Sequence, residues 1–312
     1  MIISVSRRTD IPAFYSEWFI NRVNEGFFVR VNPMNRKQQK VFSLSPTKVD
    51  CFVFWSKNPL PLIKHLDILD EKGYYYYFQF TLNDYPQIFE PRLPELDTRV
   101  ETFKKLSSQI GPSKVIWRYD PIILSNLTTI DYHIEHFDKL SSNLKGSTQR
   151  VMISFLDMYG KVNSKLKKFE KDYNLKVEDI TKHKDKLNYL INKFSSIAYK
   201  NDFELHTCAE NIDLEKYGAK HGRCIDPELI EKLTQKPLNV KKDPSQRPEC
   251  LCAESVDMGF YNTCKYNCSY CYANISDKAV FNNYNKHHPN SPVMIGECNI
   301  TITDEYVQQK IY

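Results

Sequence analysis

Glycine is scarce in this chain, with nine residues among 312, and no Gly-x-Gly-x-x-Gly motif occurs. That motif forms the phosphate-binding turn of dinucleotide folds, so its absence argues against a site of that type. Long apolar runs are also absent, and no stretch approaches the roughly eighteen residues of a membrane span. Because no apolar run is long enough, we expect no membrane partner. The balance of 43 basic against 38 acidic residues gives a net charge of +5, which identifies no partner.

Apolar content is sufficient for a large folded core. Hydrophobic residues make up 41% of the chain and aromatic residues 13%, which suits one barrel-type domain or two smaller ones. The apolar run before Arg7 and Arg8 is too short for a secretory signal. We expect a cytoplasmic protein, and disulfides are rare in that compartment.

Short apolar runs that end in polar residues predict β-strands along the chain. They are Ile2 to Ser6, Phe27 to Val31, Val41 to Leu44, Cys51 to Trp55, Tyr74 to Phe80, Lys114 to Trp117, Val151 to Phe155 and Phe203 to Leu205. Helical spacing of apolar residues predicts helices over Glu95 to Gln109, Asp131 to Leu144 and Val177 to Tyr199. This alternation favours an α/β fold with a parallel sheet, either a closed TIM-type barrel or a partial (β/α) barrel, and an open doubly wound sheet is the alternative.

Polar side chains follow most of the predicted strands, where a barrel places its chemistry. Arg7, Lys57 and Arg118 are cations that can bind a carboxylate or phosphate. Asp10, Asp120 and Glu210 can hold hydroxyl groups, a ribose or a second metal. Each of these six candidate catalytic residues also suits a turn or a helix cap, so the hypothesis rests on their occurring together.

Three cysteines near the C-terminus, Cys264, Cys268 and Cys271, have C-x3-C-x2-C spacing. A loop this short can bring three thiolates to one [4Fe-4S] cluster and leave the fourth iron open. A structural zinc site is the alternative, although zinc knuckles commonly pair two C-x2-C motifs.

The C-x3-C-x2-C spacing, with Tyr270 before the third cysteine, resembles the signature of the radical S-adenosylmethionine enzymes. That resemblance implies that S-adenosylmethionine chelates the open iron and is cleaved reductively to a 5′-deoxyadenosyl radical. It also implies a reductase or a flavodoxin- or ferredoxin-type electron donor. Tyr270 and Tyr272 are candidates to pack against the adenine, or they simply support the loop.

Four other cysteines, Cys208, Cys224, Cys250 and Cys252, precede the C-x3-C-x2-C loop. Their order, in Cys-Ala-Glu, Gly-Arg-Cys-Ile-Asp and C-x-C, followed by the loop, resembles the uncharacterised bacterial DUF1848 family. These cysteines suffice for a second iron-sulfur cluster or for a zinc ion, and one of them is alternatively the fourth ligand of the first cluster.

Ser255 to Tyr261 is a candidate for a short final strand that leads into the C-x3-C-x2-C loop. In a barrel the last strand neighbours the first, so the loop is expected beside Arg7 and Asp10, as in a circularly permuted radical S-adenosylmethionine barrel. We predict a barrel-like domain over residues 1–235. A cysteine-rich segment over residues 236–312 would pack on the barrel mouth, and its start, Lys236 to Pro248, has the composition of a linker.

Two functions remain open from the sequence. The first is a radical S-adenosylmethionine-like enzyme acting on an unknown substrate. The second is a barrel protein whose iron-sulfur or zinc site is structural or transfers electrons without radical chemistry. The lysine-rich stretch Lys161 to Lys186 could contact nucleic acid, but a solvated helical face is the better explanation of that composition.

Overall fold

The computed structural model describes residues 1–157 and 160–302. The strands are β1 (Ile2–Val5), β2 (Phe27–Asn32), β3 (Asn35–Ser43), β4 (Cys51–Ser56), β5 (Tyr76–Thr81), β6 (Val115–Ile122), β7 (Leu124–Ser125), β8 (Arg150–Phe155), β9 (Val177–Glu178), β10 (Glu204–Cys208), β11 (Lys220–Gly222) and β12 (Val256–Asp257). The helices are α1 (Ile11–Phe14), α2 (Ser16–Glu25), α3 (Leu60–Ile63), α4 (Leu66–Glu71), α5 (Leu96–Ile110), α6 (Ile130–Leu144), α7 (Gly160–Tyr173), α8 (Lys184–Lys200), α9 (Pro227–Thr234) and α10 (Asp277–Tyr284).

Eight parallel strands form the main sheet in the order β11-β10-β8-β6-β5-β4-β1-β12. Starting from β12, the order across the sheet follows the chain, as it does in a β/α barrel. The expected closure is not seen: in the described residues the sheet ends at β11 and β12. These edge strands have three and two residues, too few for an extended ladder between them.

Helices pack on one face of the sheet. Phe19 of α2 lies 5.3 Å from Phe52 of β4, and Phe103 of α5 lies 4.9 Å from Phe80 of β5, both measured between ring centroids. The opposite face buries Val53 and other apolar side chains against the segment that follows β11. Burial on both faces explains why the strand sequences are nearly continuous hydrophobic runs.

The segment between β11 and β12 covers the inner face of the sheet. Ala253 N donates to Ile225 O at 3.1 Å, and Tyr77 OH donates to Cys224 O at 2.7 Å. The stretch predicted as a linker contributes Asp243, a buried residue that accepts a hydrogen bond from Arg7. Both predicted regions, 1–235 and 236–312, contribute strands to one sheet, because β12 pairs with β1.

The predicted strands match strands of the structure, but two of them lie outside the main sheet. Phe27 to Val31 and Val41 to Leu44 fall in β2 and β3, which pair with each other as an antiparallel hairpin. Only Pro33 and Met34 separate β2 from β3. A parallel connection needs a crossover of about a dozen residues or more, so this link permits only the hairpin.

The predicted helices over Glu95 to Gln109 and Asp131 to Leu144 correspond to α5 and α6. The third prediction was wrong at its start: α8 begins at Lys184, and Val177–Glu178 is the short strand β9. Asp179 explains the difference, since its side chain accepts from Thr181 N and caps a single 3-10 turn. Across the described parts of the chain, no helix combines the length and apolar character needed to span a membrane.

Candidate functional site

The C-x3-C-x2-C loop lies at the carboxyl end of the sheet. It follows β12, which pairs in parallel with β1 through Ile3 and Val256. Tyr15 OH anchors the loop by donating to Thr263 O at 2.7 Å, and Asn274 Nδ2 donates to Cys264 O at 2.7 Å. This is the position beside the first strand that the order of the motifs predicts.

The three thiols of this loop lie in a largely apolar environment. Cys268 is buried, Cys264 and Cys271 are partly buried, and all three pack in one cluster with Phe89 and Tyr266. Burial, together with the charges of Cys271 and Cys268, raises the pKa of Cys264 well above its usual value. Burial raises the pKa of Cys268 to about 12, although the charge of Lys57 opposes this effect. The metal-free thiols of Cys264 and Cys268 are therefore protonated at neutral pH.

Lys57 forms a buried ion pair next to the cysteine loop. Its Nζ lies 2.7 Å from Glu90 Oε1 and 2.9 Å from Tyr270 OH. Tyr270 OH also donates to Glu90, and Arg99 Nη1 lies 3.9 Å from the second carboxylate oxygen. Burial alone would lower the pKa of Lys57, but Glu90 and Cys268 raise it. A fixed positive charge thus faces Cys268.

Replacing Lys57 by methionine is expected to destabilise the fold by about 3–5 kcal/mol, because it leaves the buried Glu90 carboxylate without its closest cation. The double variant Lys57→Met/Glu90→Gln is expected to recover part of that loss, since the uncompensated charge is then gone. Urea unfolding measures both changes. Lys186→Met is the matched control: Lys186 pairs with Glu178 at 2.8 Å, but both side chains are about half exposed.

Lys186→Met should lower the free energy of unfolding by less than about 1 kcal/mol, because exposed ion pairs contribute little to stability. A double variant no more stable than Lys57→Met would mean that the Glu90 charge is not the source of the loss.

Asp10 connects the end of β1 to the end of β4. Its carboxylate accepts from Ala13 N at 3.0 Å, Ser56 Oγ at 2.8 Å and Lys57 N at 2.7 Å, and it caps α1. Burial raises the pKa of Asp10 to about 7, against the effect of these donors. Asp10 thus positions the backbone of Lys57 beside the cysteine loop.

Arg7 and Tyr272 lie on the other side of the loop. Arg7 Nη2 is 3.2 Å from Asp243 Oδ2 and 3.2 Å from Ser255 Oγ, and its guanidinium lies 5.9 Å from the centroid of the Trp55 ring. The ring of Tyr272 is half exposed, and its hydroxyl donates to Arg7 O at 2.5 Å. The two predicted cofactor-binding tyrosines thus differ in exposure. Tyr270 is buried and hydrogen-bonded to Lys57 and Glu90, whereas Tyr272 reaches solvent.

Asp257 fixes the junction of β1 and β12, directly before the cysteine loop. Its carboxylate accepts from Ser4 Oγ at 3.0 Å, Ser6 Oγ at 2.6 Å, Arg7 N at 3.0 Å and Gly259 N at 2.8 Å. The residue is buried. Hydrogen bonds to a buried carboxylate are among the stronger ones, so Asp257 determines how the loop leaves the sheet.

Gly259 lies against Ser6 in this junction. A Cβ at position 259 would stand 2.0 Å from Ser6 Oγ and 2.6 Å from Ser6 Cβ. Gly259→Ala is expected to cost about 2–3 kcal/mol, because Ser6 can move aside only by losing its hydrogen bond to Asp257. Differential scanning calorimetry should show a clear fall in Tm.

Gly160→Ala is the matched control for this substitution. Nothing lies within 4 Å of a Cβ at position 160, which is in α7, so alanine there should be neutral or stabilising. A Tm unchanged by Gly259→Ala would show that the junction is not tightly packed.

The other four cysteines form a separate group on the inner face of the sheet. Cys208 ends β10, Cys224 follows β11, and their Sγ atoms lie 2.9 Å apart. Cys252 Sγ accepts from Ile225 N at 3.4 Å and is hydrogen-bonded to the thiols of Cys224 and Cys250. The bond with Cys208 lowers the pKa of Cys224, but the bond with Cys252 and burial outweigh it and raise that pKa to about 11.

Arg118 links this cysteine group to the polar strand ends. Its Nη1 donates to Cys224 Sγ at 2.8 Å, and its Nε and Nη2 donate to Asp120 Oδ2 at 2.9 and 2.7 Å. Burial opposes ionisation of Asp120, but Arg118 and the donor Ser154 bring its pKa below the usual value. Asp120 is therefore an ionised carboxylate at neutral pH.

Glu210 stands at the end of β10. Its Oε1 accepts from Phe155 N at 2.9 Å, and burial, with added repulsion from Asp157 and Asp120, raises its pKa to about 7. Asp120 in turn senses the charge of Lys57. Of the predicted candidate residues, Glu210, Asp120 and Lys57 thus interact electrostatically, although each already has a hydrogen-bond partner.

Sequence reasoning missed Glu90, Asp257 and Lys165. Asp257 had a signal, since an acidic residue inside a predicted strand is a candidate buried hydrogen-bond acceptor. Glu90 lies in the loop after β5, and Lys165 of α7 donates to Cys271 O at 3.2 Å and Asn274 O at 2.9 Å. Neither residue lies in a motif, so only the packing of distant segments shows their position.

The described residues contain no group of three or more His, Cys, Asp or Glu side chains arranged as ligands around one metal ion.

A parallel eight-stranded sheet with helices on one face, and with cysteines and charged residues at its carboxyl end, defines an α/β protein with a cysteine-rich site. Residues 2–273 match the family model described as "Domain of unknown function (DUF1848)". The chain belongs to this family, and the matched region includes all seven cysteines of the two groups. No curated protein matches the chain.

Proposed function

We propose that this protein is an iron-sulfur enzyme of the radical S-adenosylmethionine-like class. Cys264, Cys268 and Cys271 would hold a [4Fe-4S] cluster with one open iron. The observation that carries this proposal is the loop itself, which places three thiols in one apolar cluster at the carboxyl end of the sheet. The remaining four cysteines of this end pack in a different apolar cluster, which favours an open iron over a fourth cysteine ligand.

The chemistry of these residues fits such a cluster. Thiols are soft ligands that suit iron-sulfur clusters, and they must lose their protons to bind. The raised pKa values of Cys264 and Cys268 keep these two metal-free thiols protonated, and the positive charge of Lys57 favours the thiolate form of Cys268. Binding of a cluster by these thiols should accordingly release protons.

The order of the strands supports a related proposal about the fold. The sheet would be a partial barrel that is a circular permutation of the radical S-adenosylmethionine barrel. The strand before the cysteine loop, β12, precedes β1 in the sheet, and the remaining strands follow in chain order. Numbered from β12, the loop thus follows the first strand. The segment over residues 236–312 then completes the barrel-like domain of residues 1–235.

The proposed cofactor supplies, when bound with S-adenosylmethionine, the one-electron chemistry that removes a hydrogen atom from a substrate. This chain's own residues bind, orient and exclude water. Arg118 and Asp120 form an ion pair within β6, and Lys57, whose backbone amide donates to Asp10, donates through Nζ to Tyr270 of the loop. Exposed Tyr272 is the better candidate of the two tyrosines to contact the cofactor. A reductase or a flavodoxin- or ferredoxin-type protein would supply the electron.

The alternative function, a structural or electron-transferring metal site without radical chemistry, is favoured by one observation. The group of Cys208, Cys224, Cys250 and Cys252 is sufficient to ligate a metal without leaving an open position.

The test is iron and acid-labile sulfide content after anaerobic purification, followed by low-temperature EPR of the reduced protein with and without S-adenosylmethionine. The proposal predicts about four irons per chain bound to the loop and a spectrum that changes when S-adenosylmethionine is added. A spectrum that S-adenosylmethionine leaves unchanged would contradict an open iron and support the alternative.

A further inference from the structure

We infer that Cys208, Cys224, Cys250 and Cys252 bind one tetrahedral, thiophilic divalent metal ion of the Zn²⁺ class, which joins the two open edges of the sheet. This site is separate from the C-x3-C-x2-C loop and does not depend on the function proposed for that loop.

The four cysteines lie in one apolar cluster on the inner face of the sheet. Cys208 Sγ and Cys224 Sγ are 2.9 Å apart, and Cys252 Sγ accepts from Ile225 N, next to Cys224, at 3.4 Å. Thiols of the described residues are not already arranged as ligands around one point, so a bound ion would draw these four together. Four cysteines are a common ligand set for structural zinc.

The spacing of the sulfur atoms favours a single ion over a second iron-sulfur cluster. Zinc binds sulfur at about 2.3 Å, so two sulfurs of a tetrahedral site lie about 3.8 Å apart. Cys208 and Cys224 need to separate by only about 1 Å, which a side-chain rotation achieves. A four-iron cluster would require a much larger opening of this buried group, because each cysteine binds a different iron.

The surroundings offset the negative charge of a tetrathiolate site. Arg118 Nη1 donates to Cys224 Sγ at 2.8 Å, and Arg7 senses the charge of Cys252. Ile225 N donates to Cys252 Sγ at 3.4 Å, and hydrogen bonds of this kind orient metal ligands. Two cations and an amide thus stabilise thiolates in this otherwise apolar location.

The position of the site indicates its role. Cys208 and Cys224 belong to the β10 and β11 edge, whereas Cys250 and Cys252 lie just before β12 at the opposite edge. Hydrogen bonds between these edges include Ala253 N to Ile225 O at 3.1 Å and His221 Nε2 to Glu249 O at 3.0 Å. An ion with four cysteine ligands would hold the edges together, and it would have no open position for substrate.

The experiment uses the full chain carrying Cys264→Ala, Cys268→Ala and Cys271→Ala, which removes the proposed cluster ligands. Cells are grown with both zinc and iron, and metals are measured by mass spectrometry. We expect about one zinc per chain and little iron. Replacing the zinc by Co²⁺ should give the absorption bands of a tetrahedral thiolate complex, and adding Cys224→Ser should abolish both the zinc and these bands.

Cys298→Ser in the same background is the matched control and should retain the metal, because Cys298 lies outside both cysteine groups. If Cys224→Ser fails to fold, thiol counting decides: a bound ion protects four thiols until a chelator is added. About four irons in the triple variant, four thiols that react without a chelator, or a disulfide between Cys208 and Cys224 would each overturn the inference. None of these outcomes bears on the cluster proposed for the Cys264 loop, because that loop has no thiols in the protein tested.

Discussion

Replacing Cys268 by alanine is expected to remove the iron-sulfur cluster and any activity that depends on it. Cys268 is the buried middle ligand of the proposed set, and its thiol faces Lys57. Loss of an outer-shell partner of a metal ligand already costs about 10–100-fold in affinity, so loss of a ligand should cost more than about 100-fold. Iron content should fall from about four per chain to a small fraction of that value.

The control for this variant is Cys298→Ala. Cys298 is partly buried, and its Sγ contacts Ile300 O at 3.7 Å, outside the matched family region and both cysteine groups. It should retain full iron content, EPR signal and activity. A Cys268→Ala protein with wild-type iron and activity would rule out the loop as the cluster site. Circular dichroism of both variants establishes that the comparison is made between folded proteins.

Replacing Asp257 by alanine is expected to be one of the most destabilising single changes outside the cysteines, comparable to the loss of Lys57. It leaves the buried hydroxyls of Ser4 and Ser6 and the amides of Arg7 and Gly259 without their acceptor. Unsatisfied buried donors cost about 1–3 kcal/mol each, and these costs are not additive, so we expect a loss of about 3–5 kcal/mol. That is a large part of the roughly 5–15 kcal/mol of a typical fold.

Urea unfolding of metal-free protein measures this loss without a contribution from bound metal. Asp257→Asn should lie between wild type and Asp257→Ala, because its amide retains one acceptor oxygen but turns a donor toward other donors. Asp213→Ala is the control: Asp213 is exposed and accepts from Glu215 N, and its loss should cost about 1 kcal/mol or less. Equal effects at Asp257 and Asp213 would show that the β1 and β12 junction contributes little.

The amino-acid sequence predicted the parts of this fold that depend on local patterns. Runs such as Cys51 to Trp55 and Val151 to Phe155 became strands because both faces of the sheet are buried. The order of the motifs also predicted that the Cys264 loop lies beside β1. The loop follows the last strand, and in a β/α barrel the last strand neighbours the first. The family followed from the same cysteine motifs.

Only the tertiary structure decided which distant side chains meet. Lys57 pairs with Glu90, Asp257 receives hydrogen bonds from β1, and the seven cysteines divide into two groups. β2 and β3 form a separate hairpin outside the main sheet. The main sheet stays open in the described residues because its edge strands, β11 and β12, are short. Local patterning specifies which face of a segment is buried, whereas the partner of a buried charge or thiol depends on packing across the whole chain. The sequence by itself therefore determined the strands, the cysteine loop and the family, and the packing decided the ion pairs and the grouping of the thiols.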